Sequence, residues 1–215
     1  MSHCKLIWIT PEAENLVTYI AKVSNPAKQD EPSEKLIPYC IRNKHWSPFE
    51  MVNMCVEINT SRTIARQILR HKSFSFQEFS QRYADVSVLP TMEFTKARKQ
   101  HPTNRQSSVE LAADDPLHAW WHEAQTSIVD AVYRVYKSGL EHELAKEIVR
   151  DILPEGLTPS RMYMNGTLRS WLHYIDLRSG NGTQLEHQEV AKQVGEILSQ
   201  ATPLIWKAFN EASNV

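Results

Sequence analysis

The chain has 215 residues, 24 Lys and Arg against 25 Asp and Glu, a formal net charge of −1 and 41% hydrophobic residues. That length suits one domain with a substantial core, and the absence of any run of about 18 uncharged apolar residues excludes a membrane-spanning helix. Three widely spaced cysteines, Cys4, Cys40 and Cys55, build neither a disulfide framework nor a Cys-x-x-Cys metal site, so we expect a cytoplasmic protein with no metal and no membrane partner.

The chain opens without secretory signal architecture and enters a strand over residues 5–10. Leu16, Ile20 and Val23 recur at helical spacing within 12–24, which Asn25-Pro26 ends. A second helix is expected over 32–42 and a polar loop over 43–50, where Ser47 precedes Pro48. Over 51–59, Val52, Met54, Val56 and Ile58 alternate as in a half-buried strand. Residues 60–71 read as a helix, and 74–83 as an extended segment placing Glu78, Ser80 and Arg82 on one face. Polar residues 91–114 predict a long loop or flap. Asp115-Pro116 opens the clearest helix, with Leu117, Trp121, Ala124, Ile128, Val132 and Val135 on a stripe and Gly139 closing it. Further helices are expected over 141–153, 167–177 and 184–200, a short strand over 161–165, and a kink or last turn at Pro203. The pattern is α+β: one mixed α/β domain over residues 1–215.

The near-neutral total conceals a local excess. Between residues 60 and 83, Arg62, Arg66, Arg70, Lys72 and Arg82 face Glu78 alone, a balance of +4 that leaves −5 for the rest. A cationic patch on a slightly acidic background suits a small anionic ligand better than a nucleic acid, whose binders are usually basic overall. Arg66 and Arg70, four residues apart on the expected helix, can grip a phosphate, although a solvated basic face has the same spacing. Phe74, Phe76 and Tyr83 flank the polar strip and are as readily core residues as stacking platforms.

Arg70-His71-Lys72, seven residues, then Ser80, continued as Gln81-Arg82-Tyr83, resembles the signature of the flavin-dependent thymidylate synthases. His45-Trp46-Ser47-Pro48-Phe49-Glu50 resembles that family's upstream element. The segments from Glu147 to Pro154 and from Asn165 to Arg178 resemble two downstream blocks, all in the family's order. Lys72 stands where Arg is usual, keeping the charge without the planar fork, and Gln77 stands where Asn is usual.

The resemblance implies a homotetramer with shared active sites. It also implies FAD as cofactor, and the reductive methylation of dUMP to dTMP with methylenetetrahydrofolate as carbon donor and NADPH as reductant. Carried over by position, Ser47, Arg70, His71, Lys72, Glu78, Thr167, Leu168, Arg169 and His173 would contact FAD. Gln67, Ile68, Leu69, Arg70, Glu78, Phe79, Ser80, Gln81, Arg82, Arg150 and Arg178 would hold dUMP. Arg178 would be catalytic, stabilising negative charge on the uracil ring. Ser80 has no neighbouring histidine in sequence to activate it and is expected in a binding role; the cysteines are expected to be buried and inert. A different modification of a pyrimidine nucleotide, such as hydroxymethylation, and a non-enzymatic nucleotide or single-strand binder are the alternatives.

Overall fold

The computed structural model describes residues 2–180 and 182–213. Its centre is a four-stranded antiparallel sheet in the order β1-β2-β6-β3, formed by β1 (His3–Ile9), β2 (Asn53–Ser61), β6 (Pro159–Thr167) and β3 (Ser75–Glu78). Val52, just before β2, and Met54, Val56 and Ile58 within it are each 0% exposed, as the alternation predicts, but Cys55 and Glu57 on the opposite face are buried as well, so the strand is not the half-buried one expected. At about 2 kcal/mol per fully buried aliphatic side chain, this row anchors the core. Against it pack α1 (Ala13–Ala21), α2 (Leu36–Arg42), α6 (Leu168–Arg178), α7 (Leu185–Ala201) and α8 (Pro203–Ser213). Trp171, fully buried, donates its indole N–H to the carbonyl of Met54 at 2.9 Å, locking α6 onto the sheet.

Two strands run into helices without a connecting loop. β2 ends at Ser61 and α3 (Arg62–Ile68) begins at the next residue; β6 ends at Thr167 and α6 begins at Leu168. Each junction is capped by its own last strand residue. The Ser61 hydroxyl accepts from the N–H of Ile64 at 3.3 Å, and that of Thr167 from the N–H of Ser170 at 3.2 Å.

Several expectations are corrected. The helix over 60–71 starts later, because Thr60 and Ser61 pair with Ser160 and Pro159 in the sheet. It also ends earlier, so Arg70 lies in a turn and does not share a helix face with Arg66. The extended segment over 74–83 is a strand only over Ser75–Glu78. Beyond it the N–H groups of Tyr83 and Ala84 fold back on the Ser80 carbonyl at 3.1 and 3.0 Å, which buries Gln81 and separates Arg82 from the face of Glu78. The 91–114 segment contains a hairpin of β4 (Arg98–Gln100) and β5 (Ser108–Glu110).

The long helix α4 (Leu117–Glu141) continues through Gly139, where a Cβ would lie 2.6 Å from Val149 Cγ1; the glycine permits close packing and does not cap. The left-handed backbone of Glu143 (φ 59°) then breaks the expected 141–153 helix, leaving α5 (Lys146–Val149) and a 3₁₀ turn over Arg150–Ile152. Phe74 packs on Trp171 with ring centroids 4.7 Å apart, and both Phe74 and Phe76 pack on the core. Neither is a free platform for a nucleobase.

Candidate functional site

The turn after α3 brings His71 under the last turn of α6. There Arg178 Nε donates to His71 Nε2 at 3.0 Å, so this ring nitrogen carries no proton. The imidazole packs edge-on against Tyr174 with centroids 4.9 Å apart. Burial, then the positive charges of Arg178, His173 and Arg70, push its pKa down to about 4. His71 is therefore neutral at pH 7 and occupied in orienting Arg178, whose two terminal nitrogens have no partner among the described residues. Arg70 and Lys72 are exposed, and neither has an ion-pair partner among the described residues. Side chains from two distant stretches thus build a cationic focus with no carboxylate among the described residues in contact to neutralise it. Such a focus favours an anion.

A second group forms where β6 meets α6. Glu50 accepts from the Thr167 hydroxyl at 2.7 Å and from Arg169 Nη1 at 3.2 Å. Arg169 and His173 are both exposed, one turn apart on the same side of α6. Ser47 is exposed at the start of the 3₁₀ turn (Ser47–Met51) that carries Glu50.

A third group surrounds Glu78, which accepts from Ser160 Oγ at 2.6 Å and lies 3.7 Å from Arg62 Nη1. Next to it a cleft of about 270 Å³ is lined by Arg62, Arg66, Gln81, Arg150, Asp151, Leu153 and Glu155. Arg66 is paired with Glu155, and the Gln81 amide nitrogen is buried without a hydrogen-bond partner. An unpaired buried donor among three guanidinium groups is poised for an oxygen-rich ligand. A neighbouring cleft of about 380 Å³ is lined by Ser80, Arg82 and Tyr83 on one side and Ala145, Lys146 and Glu147 on the other. Arg82 lies 3.4 Å from Glu147 there.

The structure thus gathers Gln81 with Arg150, Ser80 with Arg82, and His71 with Arg178, while Glu78 bridges to α3 through Arg62. The Ile68 and Leu168 side chains are 0% exposed in the core, which leaves only their main chain for a ligand. Leu69 and Phe79 are half-buried; the Phe79 N–H is spent on the Arg161 carbonyl at 2.8 Å. Ion pairing of Arg62, Arg66 and Arg82 narrows the excess charge to Arg70 and Lys72.

Sequence reasoning passed over Glu50, although it lies inside a quoted motif, and over His187 on α7. The buried His187 ring is bonded at Nδ1 to Gln67 Oε1 (3.2 Å) and at Nε2 to the Tyr174 hydroxyl (3.0 Å). Burial first, then Arg178 and His71, push its pKa down to about 4. No local motif marks it, because its partners come from α3 and α6.

A family model described as thymidylate synthase complementing protein matches residues 5–204. A probable flavin-dependent thymidylate synthase of Paramecium bursaria Chlorella virus 1 is 46% identical over 200 residues, covering 92% of this chain and 91% of that protein. The flavin-dependent thymidylate synthase of Synechocystis is 43% identical over 196 residues, covering 91% and 89%. Among solved structures, a UMP/dUMP methylase from Streptomyces cacaoi bound with 5-Br dUMP superposes with a TM-score of 0.84 at 23% identity, covering 100% of this chain and 97% of that one. The last likeness concerns the fold.

Proposed function

This chain belongs to the thymidylate synthase complementing protein family, that of the flavin-dependent thymidylate synthases, and we propose that it converts dUMP to dTMP with methylenetetrahydrofolate as carbon donor and NADPH as reductant. The observation that carries this reading is the cationic focus of Arg70, Lys72 and Arg178, assembled from two distant stretches around the His71 imidazole, which is neutral at pH 7.

The residues fit FAD in the chemistry of their donors. Arg70 and Lys72 offer unpaired cations to a diphosphate, and His71, Arg169 and His173 add imidazole and guanidinium groups, while the Thr167 hydroxyl, its proton given to Glu50, is left to accept. Ser47 and Glu78 complete the proposed set. Reduced FAD, when bound, supplies the hydride that finishes the methyl group.

The chain's own residues do the rest. Gln81, Arg150, Ser80 and Arg82 bind the nucleotide, the guanidinium groups taking its phosphate dianion by charge-assisted bonds. Arg178, held at Nε by His71, turns its remaining N–H groups toward the pyrimidine edge. There it stabilises the negative charge that develops as N3 loses its proton, which makes C5 a better nucleophile toward the methylene donor. Glu78, held between Ser160 and Arg62, orients the strip that carries Ser80. No thiol is needed. Cys40 and Cys55 are buried, and burial, helped by Glu196, pushes the Cys4 thiol up to about 12.

We further propose a homotetramer, acting in the cytoplasm, in which the single domain over 1–215 completes its sites with neighbouring copies. On α4, Leu117, Ile128 and Val135 fall within about 20° of one another around the helix axis, and all three are exposed, as is Trp120 at 62%. An uncovered apolar stripe of this kind fits burial against another copy.

The reading is tested on purified full-length protein reconstituted with FAD. We expect flavin absorbance that dUMP perturbs, and NADPH oxidation that requires both dUMP and methylenetetrahydrofolate. Protein that takes up no FAD, or oxidises NADPH without forming dTMP, would overturn it.

A further inference from the structure

Five hydrogen bonds join α6 to the β4–β5 hairpin through Gln67, and they converge from both ends on the Glu186 carboxylate. Arg98 Nη2 donates to Glu186 Oε1 at 2.6 Å, and the other carboxylate oxygen, Oε2, accepts from Gln184 Nε2 at 2.9 Å. Gln184 Oε1 accepts from Gln67 Nε2 at 2.8 Å; Gln67 Oε1 meets His187 Nδ1 at 3.2 Å; and His187 Nε2 meets the Tyr174 hydroxyl at 3.0 Å.

The terminal carboxylate fixes the polarity of the chain. An ionised Glu186 can only accept, and its ion pair with Arg98 buries both side chains to 19% and 15% exposure. Burial opposes ionisation of Glu186, but a backbone N–H, Arg98 and Gln184 together hold its pKa below the usual carboxylate value. Gln184 must therefore present its NH₂ to Glu186 and its oxygen to Gln67. Gln67 must present NH₂ to Gln184 and its oxygen to His187. His187 in turn must carry its proton on Nδ1 and accept from Tyr174 at Nε2. Reversing any one amide would set two donors or two acceptors face to face.

We propose that His187 is a positioning residue for Gln67, fixing its amide so that the second Nε2 hydrogen, and never the carbonyl, is offered to an acceptor oxygen of the nucleotide. This rests on the proposed function and on the role in holding dUMP that the family resemblance implies for Gln67. It gives α7 and the hairpin, which carry none of the residues expected from sequence, a part in substrate selection. A site that presents a fixed donor discriminates against a ligand with a donor at that position, because two hydrogens would then meet. Gln67 alone could flip to accommodate either.

The test separates the two ring nitrogens. His187→Asn places its amide nitrogen near the Nδ1 position, so it can still donate to Gln67. His187→Gln reaches the Nε2 position, keeping a partner for Tyr174 but releasing Gln67. We expect His187→Gln to raise the KM and the calorimetric Kd for dUMP about tenfold, with kcat within about twofold, the loss of roughly one oriented hydrogen bond. His187→Asn should stay within about threefold of wild type in all three measures. Nitrogen-15 NMR of the wild-type imidazole should show the Nδ1–H tautomer at His187. Equal effects of the two variants, a loss confined to kcat, or an Nε2–H tautomer would each overturn the proposal. Wild-type protein that does not bind dUMP at all would instead overturn the reading of the site on which it depends.

Discussion

Lowering the pH should destabilise this protein through His187 in a way that a single substitution removes. The ring is 1% exposed, and its pKa is pushed down to about 4, chiefly by burial and then by Arg178 and His71. In the unfolded chain the same group titrates near 6.5. The folded state therefore binds fewer protons between these values, and stability is full above about pH 6.5 and is lost as the pH falls toward 4. Integrated over that window, His187 alone removes about 2 kcal/mol by pH 5 and about 3 kcal/mol by pH 4. His71 contributes in the same direction, but its partial exposure screens it and reduces its share. The assay is urea unfolding followed by tryptophan fluorescence from pH 7.5 to 4.5, at one protein concentration, for wild type and His187→Asn. The variant starts lower at pH 7.5, having lost the bond to Tyr174, but its stability should fall less steeply, so that the two curves converge by about 2 kcal/mol at pH 5. Parallel curves would refute the reasoning, because they would mean that His187 titrates alike in the folded and unfolded states.

Other substitutions address other links. Arg178→Ala should lower dTMP formation by about a hundredfold or more while flavin absorbance persists; near-normal turnover would remove Arg178 from the chemistry. Cys55→Ala should leave turnover within about twofold, as expected of a buried thiol without a reaction to perform. Gly166→Ala places a Cβ 2.5 Å from a Phe74 ring that is itself pinned against Trp171, which should cost about 1–3 kcal/mol. Gly180→Ala, with nothing within 4 Å, should shift the melting temperature by no more than about 2 °C. Val135→Glu on the exposed stripe of α4 should reduce the particle size in light scattering without altering the far-ultraviolet circular dichroism; an unchanged mass would exclude that face from assembly.

Local pattern was most readable where one periodicity acted alone. The row of Val52, Met54, Val56 and Ile58 leading into and along β2 needed only a period of two, and all four are fully buried; that Cys55 and Glu57 on the other face are buried too could not be read from it. The stripe on α4 was readable as amphipathic, yet Leu117, Ile128 and Val135 on it face outward. Periodicity reports that a face is apolar; it does not say whether this chain or another covers it. The helix expected over 60–71 failed at both ends for tertiary reasons. Thr60 and Ser61 are held in the sheet by their pairing with β6, and the chain past Leu69 turns so that His71 can reach α6. At the site, the motif residues Arg70, His71 and Arg178 were legible as a resemblance, but their meeting was not, since it depends on the ends of α3 and α6 converging. His187, Gln184 and Glu186 lay in an ordinary amphipathic stretch, and Arg98 in a segment read as a polar loop. Only the packing of α7 on α3 gives them a common purpose.

The loopless joins of β2 to α3 and of β6 to α6 make the distance between His71 and Arg178 a property of chain length as well as of side chains. Each helix inherits its rotational phase from the last hydrogen-bonded strand residue. One residue inserted after Thr167 would turn α6 by about 100°, carry the guanidinium away from the imidazole and expose Trp171. Insertions and deletions are therefore forbidden at these two hinge-free seams in a way that substitutions are not. The 84–114 excursion, outside the four-stranded ladder, is where this architecture has room to grow.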